Sequence, residues 1–382
     1  MSGERRRRSQ PVAWLCVGFA LTGVGTTLLG CILPTLNTNW HLDDQHAGIL
    51  FAAQFTGSAL GALLVRSDFF RSLVSGYVLL IASAISLAFF IGFVEVLLFL
   101  AFGLGLGLTM TATSMLVGST FLMNRGAALS VLNALWAIGA ALTPVMASLW
   151  VGRWSPMSLY LILAAALAVT FLVIGASRAA SVGGAKNAAQ PGEHRQLKLV
   201  SVFAVIAFLY VGTEVSVSGW MMTYVDRLPI SSKAWAPIAA SCFWGALIFG
   251  RTLVPAIVRW LPDAQLLTSS LAMAFVAVLL LLLSHGPLAI VLSATLAGLA
   301  LAPIFPLCLA SVLTLMHDSP DSKWIFAVSG LGGALLPWIT GELSAHSGSL
   351  RIGLLVPVFA LVAMIILDRL GSGSRVSYQE NL

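Results

Sequence analysis

Charge is what this sequence has least of. Only 9% of its 382 residues are Asp, Glu, Lys or Arg, against roughly 25% in an ordinary soluble domain. Too few polar side chains exist to cover a water-soluble globule, and so apolar a chain is not intrinsically disordered either. Cysteine is scarce as well. Cys16, Cys31, Cys242 and Cys308 all lie inside apolar runs, which excludes a disulfide scaffold and makes them small hydrophobes. The six histidines fall near predicted loops, with no metal-ligand spacing and no nucleophile–base arrangement. The sequence therefore predicts no metal, no cofactor and no enzyme chemistry. The net charge of +6 comes from scattered basic residues, so nucleic acid is not a predicted partner.

What abounds is hydrophobicity: 59% of residues are hydrophobic and the mean hydropathy is +0.97. A membrane helix needs about 20 apolar residues. Runs of that kind fall at 12–36, 46–65, 72–92, 96–120, 127–150 and 157–177, then at 199–225, 235–258, 265–284, 287–316, 325–345 and 352–369. The expected fold is all-α, with twelve transmembrane helices in two six-helix bundles. The bundles occupy 1–177 and 199–370, joined by a polar cytoplasmic linker at 178–198 and followed by a flexible tail at 371–382. With the N-terminus inside, only Arg153, Arg227, Lys233 and Arg351 among the 20 basic residues fall outside. That asymmetry predicts a multi-pass protein of the cell membrane with both termini cytoplasmic. Arg5–Arg8 and the apolar run ending at Cys31 imitate a lipoprotein signal. The run exceeds the ~7–15 residues of a signal-peptide core, and it reads as the first span.

The two halves repeat. Phe19-x3-Gly23-x6-Gly30 in the first span matches Phe208-x3-Gly212-x6-Gly219 in the seventh, and Phe55-Thr-Gly57 matches Phe243-Trp-Gly245. Gly103-Leu-Gly-Leu-Gly107 matches Gly298-Leu-Ala-Leu-Ala302, and Gly139 to Pro144 matches Gly332 to Pro337. Four matches in order at nearly constant offset indicate duplication. Parallel six-helix repeats suit a transporter whose halves rock about a site near the midplane. A non-transporting receptor could use the same bundle.

Several stretches carry a family resemblance. They are Phe208-Leu-Tyr210-Val-Gly212-Thr-Glu214 with Gly219-Trp220 and Tyr224, and Phe243-Trp244-Gly245 with Gly250-Arg251. Gly298 to Pro306 and Gly332-Gly333-Ala-Leu-Leu-Pro337-Trp338 complete the set. They resemble the major facilitator superfamily, and within it the fucose–galactose–glucose:proton symporters and their sodium-glucose-transporter-like relatives. The resemblance implies a small sugar or sugar-like substrate, imported with a coupling ion, H+ first and Na+ as the alternative. The loop Gly61 to Arg71 departs from the superfamily pattern, with Val65 in place of an acid and Asp68 in place of a glycine. The first and fourth spans carry threonines where proton-coupled sugar members often carry acids.

Of the 14 acidic residues, Glu214 alone falls deep within a predicted span. A carboxylate there costs roughly 2.5–3.5 kcal/mol on insertion scales, so it must face a cavity or a partner. It is the candidate for binding substrate hydroxyls and for ion coupling; a structural acid is the plain alternative. Sugars need aromatic faces and amide or carboxylate groups. The candidates are Gln54, Asn133, Trp136, Trp220, Trp244 and Trp338, with bundle packing or interfacial anchoring as the alternative for each tryptophan. Trp220 lies about 120° from Glu214 on an ideal helix, so the two share a cavity only if that helix breaks near Gly219. Arg66 and Arg251, at the predicted cytoplasmic ends of the second and eighth spans, are gating candidates, with snorkelling as the alternative. The expected partners are a small-molecule substrate and the lipid bilayer, and the expected state is a monomer. Two other readings stay open: an exporter of drugs or amphiphilic metabolites, and a membrane sugar sensor.

Overall fold

A computed structural model describes residues 2–89, 94–121, 125–176, 197–229, 234–315 and 323–379. Every regular element among them is a helix, as lipid requires of a chain that must satisfy its own backbone. The helices are α1 (Ser2–Trp40), α2 (Asp44–Leu64), α3 (Phe69–Phe89), α4 (Glu95–Thr120), α5 (Arg125–Val151) and α6 (Ser158–Ala176). After the linker come α7 (Leu197–Asp226), α8 (Trp235–Ile257), α9 (Asp263–Leu283), α10 (Pro287–Leu301), α11 (Ile304–Leu315), α12 (Lys323–Ser347), α13 (Leu350–Gly353) and α14 (Leu355–Gln379).

Eleven segments among the described residues are long and apolar enough to cross a membrane. The expected eleventh span is present as α12, which carries Ser329, Gly330, Gly332, Gly333, Pro337, Thr340 and Glu342 and is not among those eleven. The expected tenth span is divided at Ala302 and Pro303 into α10 and α11. Pro303 offers no N–H to a continuing helix. Pro306 sits in the first turn of α11, where a missing N–H costs nothing. The expected tail does not begin at 371, because α14 continues to Gln379. Most of the expected linker, 177–196, lies outside the described residues.

The described chain clusters into two compact units, residues 1–36 with 53–187, and residues 37–52 with 188–382. The dividing line runs through α2. In the first unit, Gly57 and Gly61 of α2 interlock with Gly103 and Gly107 of α4. A Cβ at any of the four would overlap a backbone carbonyl of the other helix. This is how small residues let membrane helices approach without a hydrophobic driving force.

The duplication reappears as duplicated packing. A Cβ at Gly103 would strike the Gln54 carbonyl, and a Cβ at Gly298 would strike the Phe243 carbonyl, its counterpart in the second half. Likewise Gly139 of α5 lies on the Ala20 carbonyl of α1, and Gly332 of α12 lies on the Phe208 carbonyl of α7. Gly103 with Gly298, and Gly139 with Gly332, are matched in sequence and are points at which matched helices touch.

Candidate functional site

In the second unit the site is built on α7, α8 and α11. Tyr210 and Glu214 are one turn apart and share a face of α7. Gly250 lets α8 settle on the end of α10, against Ala302 and Leu299. The next residue, Arg251, reaches α7. Its Nη2 donates to the Tyr210 hydroxyl at 3.1 Å and to Glu214 Oε1 at 3.3 Å. The break at Ala302 and Pro303 starts α11 so that Phe305 stacks on Tyr210, with ring centroids 5.8 Å apart. Glu214 is 7% exposed, and its charge is met by a guanidinium rather than by water.

Arg251 was expected at a cytoplasmic helix end. It lies inside α8 and is committed to Glu214, because a carboxylate placed in hydrocarbon needs an opposite charge more than a rim needs another cation. Its Nε is buried with no hydrogen-bond partner among the described residues. The same holds for Thr213 Oγ1, Ser216 Oγ and Thr223 Oγ1 on α7. Other helical hydroxyls fold back onto a carbonyl of the preceding turn, as in Thr26 to Thr22, Thr143 to Gly139 and Thr340 to Leu336. The α7 group therefore keeps polar capacity unspent within the bundle.

The other candidates are dispersed. Helix α7 runs unbroken through Gly219, so Trp220 and Glu214 remain on separate faces. Trp220 is fully buried, tilted against Phe51 with centroids 5.6 Å apart, and donates from Nε1 to the Pro337 carbonyl at 3.2 Å. Trp338 is 37% exposed; it is its backbone that meets Gly48. Trp244 is buried edge-on against Phe243.

In the first unit Gln54 is 1% exposed and donates from Nε2 to the Thr26 carbonyl at 3.0 Å, while its Oε1 has no partner among the described residues. Asn133 is exposed on α5, and Trp136 is half-buried with its carbonyl against Gly23 of α1. Arg66 is exposed beyond the end of α2, its backbone N–H held by Ser72 Oγ.

Sequence reasoning gave no role to Tyr210, although its position four residues before Glu214 was the available signal. It also passed over Asp44, Arg227 and Ser344, which meet in a second polar cluster, where Asp44 is buried and Arg227 is exposed. Arg227, one of few basic residues on the predicted outer side, was the visible hint.

Comparison with known proteins agrees with this architecture. The model of the Major Facilitator Superfamily matches residues 15–320. The chain belongs to that superfamily. A glucose/galactose transporter of Brucella abortus biovar 1 (strain 9-941) is 28% identical over 226 residues, 56% of this chain and 53% of that protein. The chain thus spans about half the length of that relative in the match. The glucose/mannose transporter GlcP of Bacillus subtilis (strain 168) is 24% identical over 375 residues, covering 91% of this chain and 90% of GlcP. Among solved structures, the facilitator transporter FucP in the outward conformation aligns with 94% of this chain and 98% of its own, at a TM-score of 0.63 and 15% identity. That likeness shows the facilitator fold of a multi-pass membrane protein.

Proposed function

We propose that this protein is a secondary transporter, not an enzyme, that imports a monosaccharide or similar polar solute by alternating access. Proton coupling through Glu214 is part of the proposal. The observation that carries it is the mid-span Glu214 carboxylate, held by Arg251 and backed by Tyr210. An intramembrane acid with a named partner is the pattern of a coupling site. Protonation cancels the charge that Arg251 answers, which frees guanidinium donors for substrate hydroxyls. Proton and sugar binding are then linked, each favouring the other. The unspent donors and acceptors of Arg251, Thr213 and Ser216 suit a hydroxyl-rich ligand, and both sequence relatives described above are named for hexose transport. Gln54 supplies an amide acceptor of the same kind. The distribution of basic residues supports a cytoplasmic side for both termini.

The test is uptake of labelled hexoses into liposomes holding purified protein, with and without an inward proton gradient, for the native chain and Glu214→Gln. Gradient-stimulated uptake of one sugar, lost in the variant while counterflow survives, is the expected result. Gradient-independent uptake overturns the coupling assignment. Absence of hexose uptake or counterflow overturns the sugar assignment in favour of export of amphiphilic solutes or of sensing.

A further inference from the structure

The polar site of the second unit hangs on one nitrogen. Nη2 of Arg251 donates to Glu214 Oε1 at 3.3 Å and to the Tyr210 hydroxyl at 3.1 Å, while Nε has no partner among the described residues. A guanidinium is oriented most firmly when two of its nitrogens grip a carboxylate in parallel. Here a single nitrogen carries both contacts, so two acceptors of different kinds share the hold. One is a charge that a proton can cancel. The other is a phenol, whose lone pairs that proton leaves untouched, and it makes the shorter contact.

Tyr210 is itself fixed. Its side chain is fully buried, and its ring stacks on Phe305 of α11 with centroids 5.8 Å apart and planes inclined by 26°, within the range in which offset rings attract. Phe305 stands there because the chain breaks at Ala302 and Pro303 and restarts as α11. A buried phenol must spend its hydroxyl on a partner, and Arg251 is that partner. The Arg251 side chain is 21% exposed. A guanidinium that lost both acceptors would be free to swing on its long stem toward water.

We infer that Tyr210 is the positioning residue of this site: it keeps the Arg251 guanidinium on α7 when Glu214 takes up a proton, so that the freed donors stay aimed at substrate hydroxyls. The inference rests on the proposed reading of Glu214 as a carboxyl protonated during transport. The charged carboxylate shares the guanidinium with the phenol, and the neutral carboxyl leaves it to the phenol. Loss of the hydroxyl is then silent at the guanidinium while Glu214 is charged, and releases it once Glu214 is neutral.

Glu214→Gln fixes the neutral state, and Tyr210→Phe removes the hydroxyl while keeping the ring on Phe305. Monodisperse preparations of the native chain, both single variants and the double variant are treated with phenylglyoxal in mildly alkaline detergent buffer. Modification at Arg251 is timed by mass spectrometry, with Arg259, exposed beyond the end of α8, as the unrestrained reference. The native chain and both single variants are expected to react slowly at Arg251. The double variant is expected to react at least about tenfold faster, as losing a charge-assisted hydrogen bond implies. A double variant no faster than Glu214→Gln overturns the inference, and so does fast reaction in either single variant. Should the double variant give no monodisperse fraction, Glu214→Gln with Phe305→Leu decides, because it leaves the hydroxyl and removes the ring that fixes it. A rate above that of Glu214→Gln supports the inference, and an equal rate overturns it. In liposomes Tyr210→Phe is expected to raise the hexose KM about tenfold at unchanged maximal rate, the equivalent of one hydrogen bond. A merely structural role would lower the maximal rate through loss of folded carrier and leave KM alone. The modification assay needs no substrate, so absence of hexose uptake by the native chain counts against the proposed function and leaves Arg251 reactivity to judge Tyr210.

Discussion

Arg251 of α8 answers Glu214 of α7 at 3.3 Å while the same Nη2 holds the Tyr210 hydroxyl at 3.1 Å. The pair is a buried charge compensated once, so removing one member should hurt more than removing both. Breaking a buried pair from one side costs roughly 3 kcal/mol, because the surviving charge has no water to return to. Arg251→Met is therefore expected to lower the thermal midpoint in detergent clearly, and Arg251→Met with Glu214→Gln to recover most of the loss. A double-mutant cycle on the melting midpoint checks this. Additive losses would mean that the two side chains do not act as a pair.

The fold was legible because lipid imposes coarse rules. A span needs a fixed length of apolar residues, and duplication leaves offsets that count directly. The glycine pairs were legible for the same reason: Gly139 and Gly332 matched in sequence, and each lies on a carbonyl of its matched helix. Partner choice was not legible. Glu214 and Arg251 are 37 residues apart, and Asp44 and Arg227 are 183 apart. No periodicity reports which face of one helix meets which face of another. Arg251 looked like a rim residue because the apolar run on its C-terminal side is short. Trp220 looked available because sequence records that a tryptophan is large and apolar, not that Phe51 and Gly341 already enclose it.

The glycine contacts predict a graded response to a single methyl group. At Gly103 and Gly298 a Cβ meets a backbone carbonyl, which cannot move without shifting a whole helix. Overpacking of that kind costs about 1–3 kcal/mol. Gly103→Ala and Gly298→Ala are expected to lower the thermal midpoint and the monodisperse fraction in detergent, by similar amounts if the repeats are equivalent. Gly245 has nothing within 4 Å of its would-be Cβ, so Gly245→Ala is expected to be tolerated. Equal behaviour of all three variants would refute the close-packing account.

Gln54 makes the sharpest distinction between a binding residue and a packing residue. Its Nε2 is spent on the Thr26 carbonyl, and this bond fixes the amide so that Oε1 stays free of partners among the described residues while 1% exposed. A buried acceptor left unsatisfied costs about 1–3 kcal/mol, so a merely structural site would gain by replacing it with an apolar side chain. Gln54→Leu keeps the volume and removes both polar atoms. If Oε1 serves the substrate, the variant folds with little change in melting midpoint, and its transport KM rises about tenfold, the equivalent of one lost hydrogen bond near 1.4 kcal/mol. Uptake kinetics and melting of the same preparation separate the cases. An unchanged KM with a raised midpoint would assign Gln54 to packing and move substrate recognition to the Glu214 cluster alone.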